Sequence, residues 1–388
     1  MKSKFLKFIS DPKYIFGIYF LVSAASAIAK YLGGPLKYNN YLIFKNVFVN
    51  TLSERNIYSY YPDAHFDANH YGILFSVIIA PFALLPDWFG MVLWNVANAA
   101  IFTYAIHKLP FPNQYKAFFA WLCLQEFITA AVSLQFNIAL TGLLMLSAVY
   151  VYERKEAKSA FAILIGFFVK LYGIAGLSSF FFIKNKLRFI GAFIAVAVLF
   201  FILPMIISNP GFGLRSYADW YQSLSEKNMS NQVLGNRQDY SLMGIVRRIS
   251  GAEISNLTFL LPGIVLFGLP YLRIKQYKNL AFQMMILAST LLFIVLFSSG
   301  SESPTFIIAV SGVMLWFLMQ KEKTAVDIAL LVFVIILTCF SFSDLFPKSI
   351  KENYIMKYSL KALPCCVVWF RVCYELMTKD FAKDYKFA

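Results

Sequence analysis

Residues 14–32 read Tyr-Ile-Phe-Gly-Ile-Tyr-Phe-Leu-Val-Ser-Ala-Ala-Ser-Ala-Ile-Ala-Lys-Tyr-Leu, directly after Lys2, Lys4, Lys7 and Lys13. A basic lead followed by an apolar run is the outline of a secretory signal. This run is too long for one, and no small-residue cleavage pattern opens onto a soluble domain. It is therefore expected to stay as an uncleaved first membrane helix. Similar runs follow at about 71–86, 88–107, 117–133, 137–152, 159–183, 187–208, 257–272, 279–298, 304–320, 324–342 and 358–375. They are continuous, without the alternation of an outer-membrane barrel strand.

Composition agrees. Of 388 residues, 59% are hydrophobic and 14% charged, and mean hydropathy is +0.63. A soluble domain carries about 25% charged residues, so this chain cannot cover a water-facing surface of its size. It is also too hydrophobic to be disordered. The fold class expected is all-α: a polytopic transmembrane bundle of about 10–13 membrane helices, forming a single integral membrane domain over residues 1–388.

The net charge of +15 does not imply a nucleic-acid partner, because the basic residues lie in short clusters between apolar runs. They orient the chain instead. Lys2–Lys13, Arg154/Lys155/Lys158, Lys184/Lys186/Arg188, Arg273/Lys275/Lys278, Lys321/Lys323 and Lys379/Lys383/Lys386 are read as cytoplasmic, together with both termini. That accounting needs 117–133 and 159–183 each to be a broken pair of half-helices. Lys170, in the middle of an apolar segment, supports a break in the second, since a lysine at mid-bilayer must face protein or water. The cysteines Cys123, Cys339, Cys365, Cys366 and Cys373 lie in or beside apolar runs, as small buried hydrophobes do.

Polar residues gather in two long outer connections, about 33–71 and 209–256. The first holds Asn40, Tyr41 and then Asp63-Ala64-His65-Phe66-Asp67-Ala68-Asn69-His70. Asp63, His65, Asp67 and His70 read as a loose metal-ligand set, as an aromatic interfacial loop, or as a general base with a neighbouring histidine. The second holds a Trp220 segment able to form an amphipathic surface helix, then Arg237, Gln238, Ser241, Arg247 and Arg248. Paired arginines suit either a phosphate or lipid headgroups. Gln135-Phe136-Asn137 and Ser303-Pro304-Thr305 put polar groups at helix mouths, where an anion can bind, or where Ser303 simply caps. Deep charge pairs, the mark of a transporter or lipid flippase, are sparse, so an enzyme is favoured. A structural subunit of an envelope complex is the third class.

In this order the pieces resemble the polyprenyl-phosphate-sugar-dependent membrane glycosyltransferases of family 87, with the GT-C architecture. The elements are Asn40-Tyr41, Asn56-Ile57-Tyr58, Tyr71-Gly72-Ile73-Leu74-Phe75-Ser76, Ala80-Pro81-Phe82, Leu84-Leu85-Pro86, Leu93-Trp94-Asn95, Leu134-Gln135-Phe136-Asn137, Lys170, Gln238-Asp239-Tyr240-Ser241 with Arg247 and Arg248, and Ser303-Pro304-Thr305. The resemblance spans about residues 1–320. It implies transfer of a hexose, by the family's habit mannose, from a polyprenyl-phosphate donor to a glycan or lipid acceptor at the outer face of the cytoplasmic membrane. It implies Lys170, Arg237, Arg247 and Arg248 on the donor phosphate, and Gln135, Asn137, Asn40 and Tyr41 on the sugar. The family's first-loop acid falls on Asn39 or Asn40, which cannot accept a proton. Either Asp67, with Asp63 in reserve and His70 beside it, has taken the role, or this member is catalytically altered. Phosphate is already a good leaving group, so neither metal nor cofactor is required.

Overall fold

The computed structural model describes residues 8–234 and 238–385. Arg237 lies outside the described residues. Among them no β-ladder forms, and helices follow one another along the chain. They are α1 (Pro12–Leu32), α2 (Asn39–Leu52), α3 (Leu74–Ala83), α4 (Asp87–Lys108), α5 (Asn113–Val132), α6 (Asn137–Tyr152), α7 (Glu156–Val169), α8 (Lys186–Ile202), α9 (Pro210–Gln232), α10 (Leu242–Ser250), α11 (Asn256–Gly268), α12 (Leu280–Leu296), α13 (Phe306–Met319), α14 (Ala325–Phe333) and α15 (Leu363–Thr378). The fold is all-α, of the GT-C-like membrane type.

Local chemistry sets the ends. Asp11 caps α1 by accepting from the Lys13 amide, with Pro12 in the first turn. The helix stops at Gly33-Gly34, where Gly34 takes φ +86° at little steric cost. Asp87 opens α4 and His107 and Lys108 close it, each sign at the favourable end of the helix dipole.

By length and composition, α1, α4 and Lys186–Ile206 can cross a membrane unaided. The other expected runs appear as shorter apolar pieces, such as Leu280–Leu296 and Ser303–Met319. Proline explains some of the shortening: the 257–272 run has Pro262 inside α11 and Pro270 in the 3₁₀ turn Leu269–Leu272 that ends it. Leu187, Ile194, Leu199, Leu261, Val265 and Leu272 are exposed, a surface that suits lipid and not water.

The two segments expected to be broken behave differently. The second breaks at Lys170, with α7 ending at Val169 and 3₁₀ turns running from Leu171 to Phe182. Gly173 permits it, because a Cβ there would strike the Phe167 backbone nitrogen. The first does not break: α5 runs unbroken from Asn113 to Val132, with neither Gly nor Pro to interrupt it.

The chain forms two compact units. One comprises Met1–Pro110, Ile128–Leu177 and Ile183–Glu226; the other comprises Phe111–Phe127, Ser178–Phe182 and Lys227–Ala388. In the first, α1 packs on α4, α4 on α6, α6 on α7, and α7 on α8. Its aromatic core joins Phe44, Tyr71, Phe75 and Trp94, with ring centroids 4.9–6.1 Å apart. In the second, α12 packs on α13 and both on α15, around buried Trp316 and Trp369.

Candidate functional site

The first unit gathers most of the polar residues singled out above. After α2 the chain folds into turns. Tyr61 O accepts from both Ala64 N and His65 N at 2.9 Å. Asn39, buried, accepts from Phe66 N at 2.9 Å, and Asn56 donates to Asp219 on α9 at 3.0 Å. His65 is buried, with Nδ1 2.6 Å from Asp67 O. A carbonyl only accepts, so Nδ1 carries the proton. Burial holds His65 below the ordinary histidine range, against the opposing pull of that bond and the Asp67 carboxylate. Asp63 and Asp67 are both exposed, and Asp67 Oδ1 accepts from Ala68 N at 2.8 Å. Among the described residues no three His, Cys, Asp or Glu side chains come together as metal ligands.

The next residues are fastened to α9. Trp220 Nε1 donates to His70 O at 3.0 Å, and Ser223 Oγ donates to Asn69 O at 3.3 Å. His70 Nδ1 lies 2.9 Å from the same Ser223 Oγ. The hydroxyl has one proton; given to Asn69 O, it leaves Oγ to accept from His70 Nδ1–H. Trp220, expected on a surface helix, is buried because it is this anchor. Gly72 N donates to Val169 O at 3.1 Å. A Cβ on Gly72 would run into Phe168 O and come within 2.9 Å of the Trp220 ring, so only glycine lets the loop approach the end of α7.

That approach sets Tyr71 beside Lys170. Lys170, half-buried at the break, donates to Asn137 Oδ1 at 2.8 Å. Its Nζ lies 4.9 Å from the Tyr172 ring centroid and 6.0 Å from that of Tyr71. Asn137, fully buried at the start of α6, donates in turn to Gln135 Oε1 at 2.6 Å. Lys170, Asn137 and Gln135 thus form one relay, in which the amide orients the ammonium. Asn40 and Tyr41 are placed differently: Asn40 Nδ2 donates to Ser133 O and Tyr41 OH to Phe82 O, each at 2.8 Å. Tyr41 has no exposed surface.

In the second unit, Ser241 caps α10 by accepting from Gly244 N. Arg247 is buried in an ion pair with Asp239 and also donates to Ile254 O at 2.9 Å and Asn256 Oδ1 at 2.8 Å. Burial pushes the Asp239 carboxyl up, while bonds from Ser241 and Arg247 pull it down. Arg248 donates to Met356 O at 2.9 Å and lies 5.5 Å from the Tyr240 ring centroid. At Ser303-Pro304-Thr305 the helix start is capped by Glu302 and Thr305, not by Ser303. This unit also holds the deep charge pair that seemed sparse: Lys361 Nζ donates to Glu126 Oε1 at 2.8 Å, both side chains fully buried. A partner 235 positions away leaves no local signal in the sequence around Glu126. Ser223 and Asn39 were missed for a similar reason, since a small polar residue shows its role only through the atom it meets.

Comparison with known families decides the class. The family model of Glycosyltransferase family 87 matches residues 69–299, more than half of the chain. The chain belongs to glycosyltransferase family 87. It is a membrane glycosyltransferase, and the Glu126–Lys361 pair does not make it a transporter. No curated protein matches the chain. The match takes in His70, Gln135, Asn137, Lys170, Arg247 and Arg248, and leaves Asn40, Tyr41, Asp63, Asp67 and Ser303 outside it.

Proposed function

We propose that this family 87 enzyme transfers a hexose, mannose in the first instance, from a polyprenyl-phosphate donor to a hydroxyl of a glycan or lipid acceptor. The reaction is placed at the outer face of the cytoplasmic membrane, with the connection 33–71 outside; an unbroken α5 removes the even number of crossings on which the cytoplasmic placing of both termini rested. The carrying observation is Lys170, a half-buried cation at a helix break, aimed by Asn137 Oδ1 at 2.8 Å and flanked by the rings of Tyr71 and Tyr172.

The acceptor oxygen attacks the anomeric carbon, the bond from that carbon to the phosphate oxygen breaks, and the acceptor proton goes to a base. Asp67 is the base proposed, with Asp63 in reserve. His70 bonds a sugar hydroxyl or orients the carboxylate. Lys170 meets the charge that develops on the departing phosphate. Gln135 bonds a sugar hydroxyl, whereas Asn137, fully buried and bonded to both Lys170 and Gln135, holds the lysine. Of the arginines, Arg247 is already committed to Asp239.

Asp67→Asn and Asp63→Asn test the base, assayed in membranes by transfer of labelled hexose from the polyprenyl-phosphate donor. Loss of about a hundredfold or more in Asp67→Asn is expected. Full activity in both variants would remove these carboxylates from the reaction. Mass spectrometry of lipid-linked glycans from a deletion strain names the sugar and acceptor.

A further inference from the structure

The turn that delivers Gln135 and Asn137 to Lys170 is under constraint. Leu134 takes φ +55°, left-handed backbone that a branched side chain rarely adopts and that persists only where its surroundings enforce it. The carbonyls of this turn are gripped from outside. Trp94 Nε1 donates to Leu134 O at 2.8 Å, Asn95 Nδ2 to Ala131 O at 3.0 Å, and Asn40 Nδ2 to Ser133 O at 2.8 Å. Tyr71 OH accepts from Phe136 N at 3.3 Å, and Asn98 Oδ1 from Ala139 N at 3.3 Å. Trp94 and Asn95 are buried, and the Trp94 ring stacks on Phe136 at 6.2 Å.

A helix C-terminus leaves its last carbonyls unpaired. Here that need is met by side chains that also hold the next residues. The same turn runs straight into Gln135 and Asn137, and Asn137 is the acceptor that aims Lys170. Tyr71 also sets its ring 6.0 Å from Lys170 Nζ, whereas Trp94, Asn95 and Asn40 make their bonds to the turn. They act through the turn.

We propose that Trp94, Asn95 and Asn40 are positioning residues for the phosphate-binding lysine: they lock the Leu134 turn so that Asn137 holds the Lys170 ammonium on the donor phosphate. The inference rests on the reading of Lys170 given above. It also gives position 40 a reason to be asparagine. An aspartate there would offer no N–H and would set a carboxylate against the Ser133 carbonyl, so restoring the family's acid would harm this enzyme.

The test is equilibrium binding of polyprenyl phosphate to the purified full chain in lipid–detergent micelles. Trp94→Phe removes the N–H and keeps an aromatic ring; Asn40→Asp removes the amide donor at a second, independent place. Each is measured alone and combined with Lys170→Met. We expect Lys170→Met to weaken binding by about thirtyfold, and Trp94→Phe and Asn40→Asp by about tenfold each. Added to Lys170→Met, either should cost less than about twofold, because what they position is gone. Asn40→Gln, which keeps an amide donor, should recover part of the loss. If Trp94→Phe and Asn40→Asp weaken binding equally with and without Lys170, they only support the fold, and this inference falls while the Lys170 reading stands. If Lys170→Met binds as well as wild type, both fall.

Discussion

Two lysines show how the same side chain takes opposite parts. Lys361 has no exposed surface, and its ammonium meets the Glu126 carboxylate at 2.8 Å between the rings of Phe306 and Phe342, 5.2 and 5.0 Å away. Lys170 is half-buried at a helix break, bonded to an amide oxygen at 2.8 Å and flanked by Tyr71 and Tyr172. The first pair is neutral overall and has no charge left for a ligand. The second is given a fixed direction by its amide acceptor. Burying an ion without water is tolerated only with a counter-charge; a cation held half-buried at a helix break keeps a route to an arriving anion. What marks the candidate site is therefore not charge alone, but a cation held at a break in the helix instead of sealed in the interior.

Removing each lysine breaks the comparison in a different place. Lys361→Met leaves Glu126 buried without its partner, a change that costs about 3–5 kcal/mol. The folded fraction should collapse, read as loss of monodisperse protein after extraction, and Glu126→Gln combined with Lys361→Met should restore most of it. A stable Lys361→Met protein would mean that the pair is dispensable. Lys170→Met should do the reverse: unchanged folding and hexose transfer down by about a hundredfold, the scale of one charge-assisted contact to a leaving group. A variant that unfolds like Lys361→Met would make Lys170 a second structural cation.

The sequence foretold this division unevenly. The membrane class followed from uninterrupted apolar runs, and Lys170 declared a break because a lysine cannot sit in oil within a continuous helix. The break expected in 117–133 is absent, because the inference came from counting charged clusters across the membrane and not from any helix-breaking residue. Glu126 satisfies its charge through Lys361, so the helix has no need to break. Asn40 drew attention as a missing acid, yet its place is explained by the Ser133 carbonyl 93 residues away. The loop carboxylates were legible as a group. Their exposure was not, since exposure depends on how Asn39, Trp220 and Ser223 fold the loop down.

A smaller effect sharpens the account of the loop. Ser223→Ala deletes the acceptor that fixes the proton on His70 Nδ1 while leaving the Trp220 anchor. The imidazole then loses this acceptor, and transfer should fall by about three- to tenfold with donor KM little changed. Ser223→Thr, which keeps the oxygen, should return most of it. Equal losses in Ala and Thr would show that packing, not the hydroxyl, matters at 223.

The smallest effect expected belongs to His65. Burial keeps it below its ordinary value, whereas in the unfolded chain it titrates at about 6.5. As pH falls through that range, the unfolded state takes up a proton that the folded state resists, so the folded protein loses stability on the acid side. Above about pH 7.5 both states hold a neutral ring and the contribution vanishes. Thermal midpoints taken between about pH 8 and pH 5.5 should therefore drop further for wild type than for His65→Asn, whose amide can still donate to the Asp67 carbonyl but does not titrate. His70 and His107 remain in both proteins and cancel in the difference. Parallel curves would show that His65 ionises as freely folded as unfolded, and that the turn bearing Asp67 opens to water without cost.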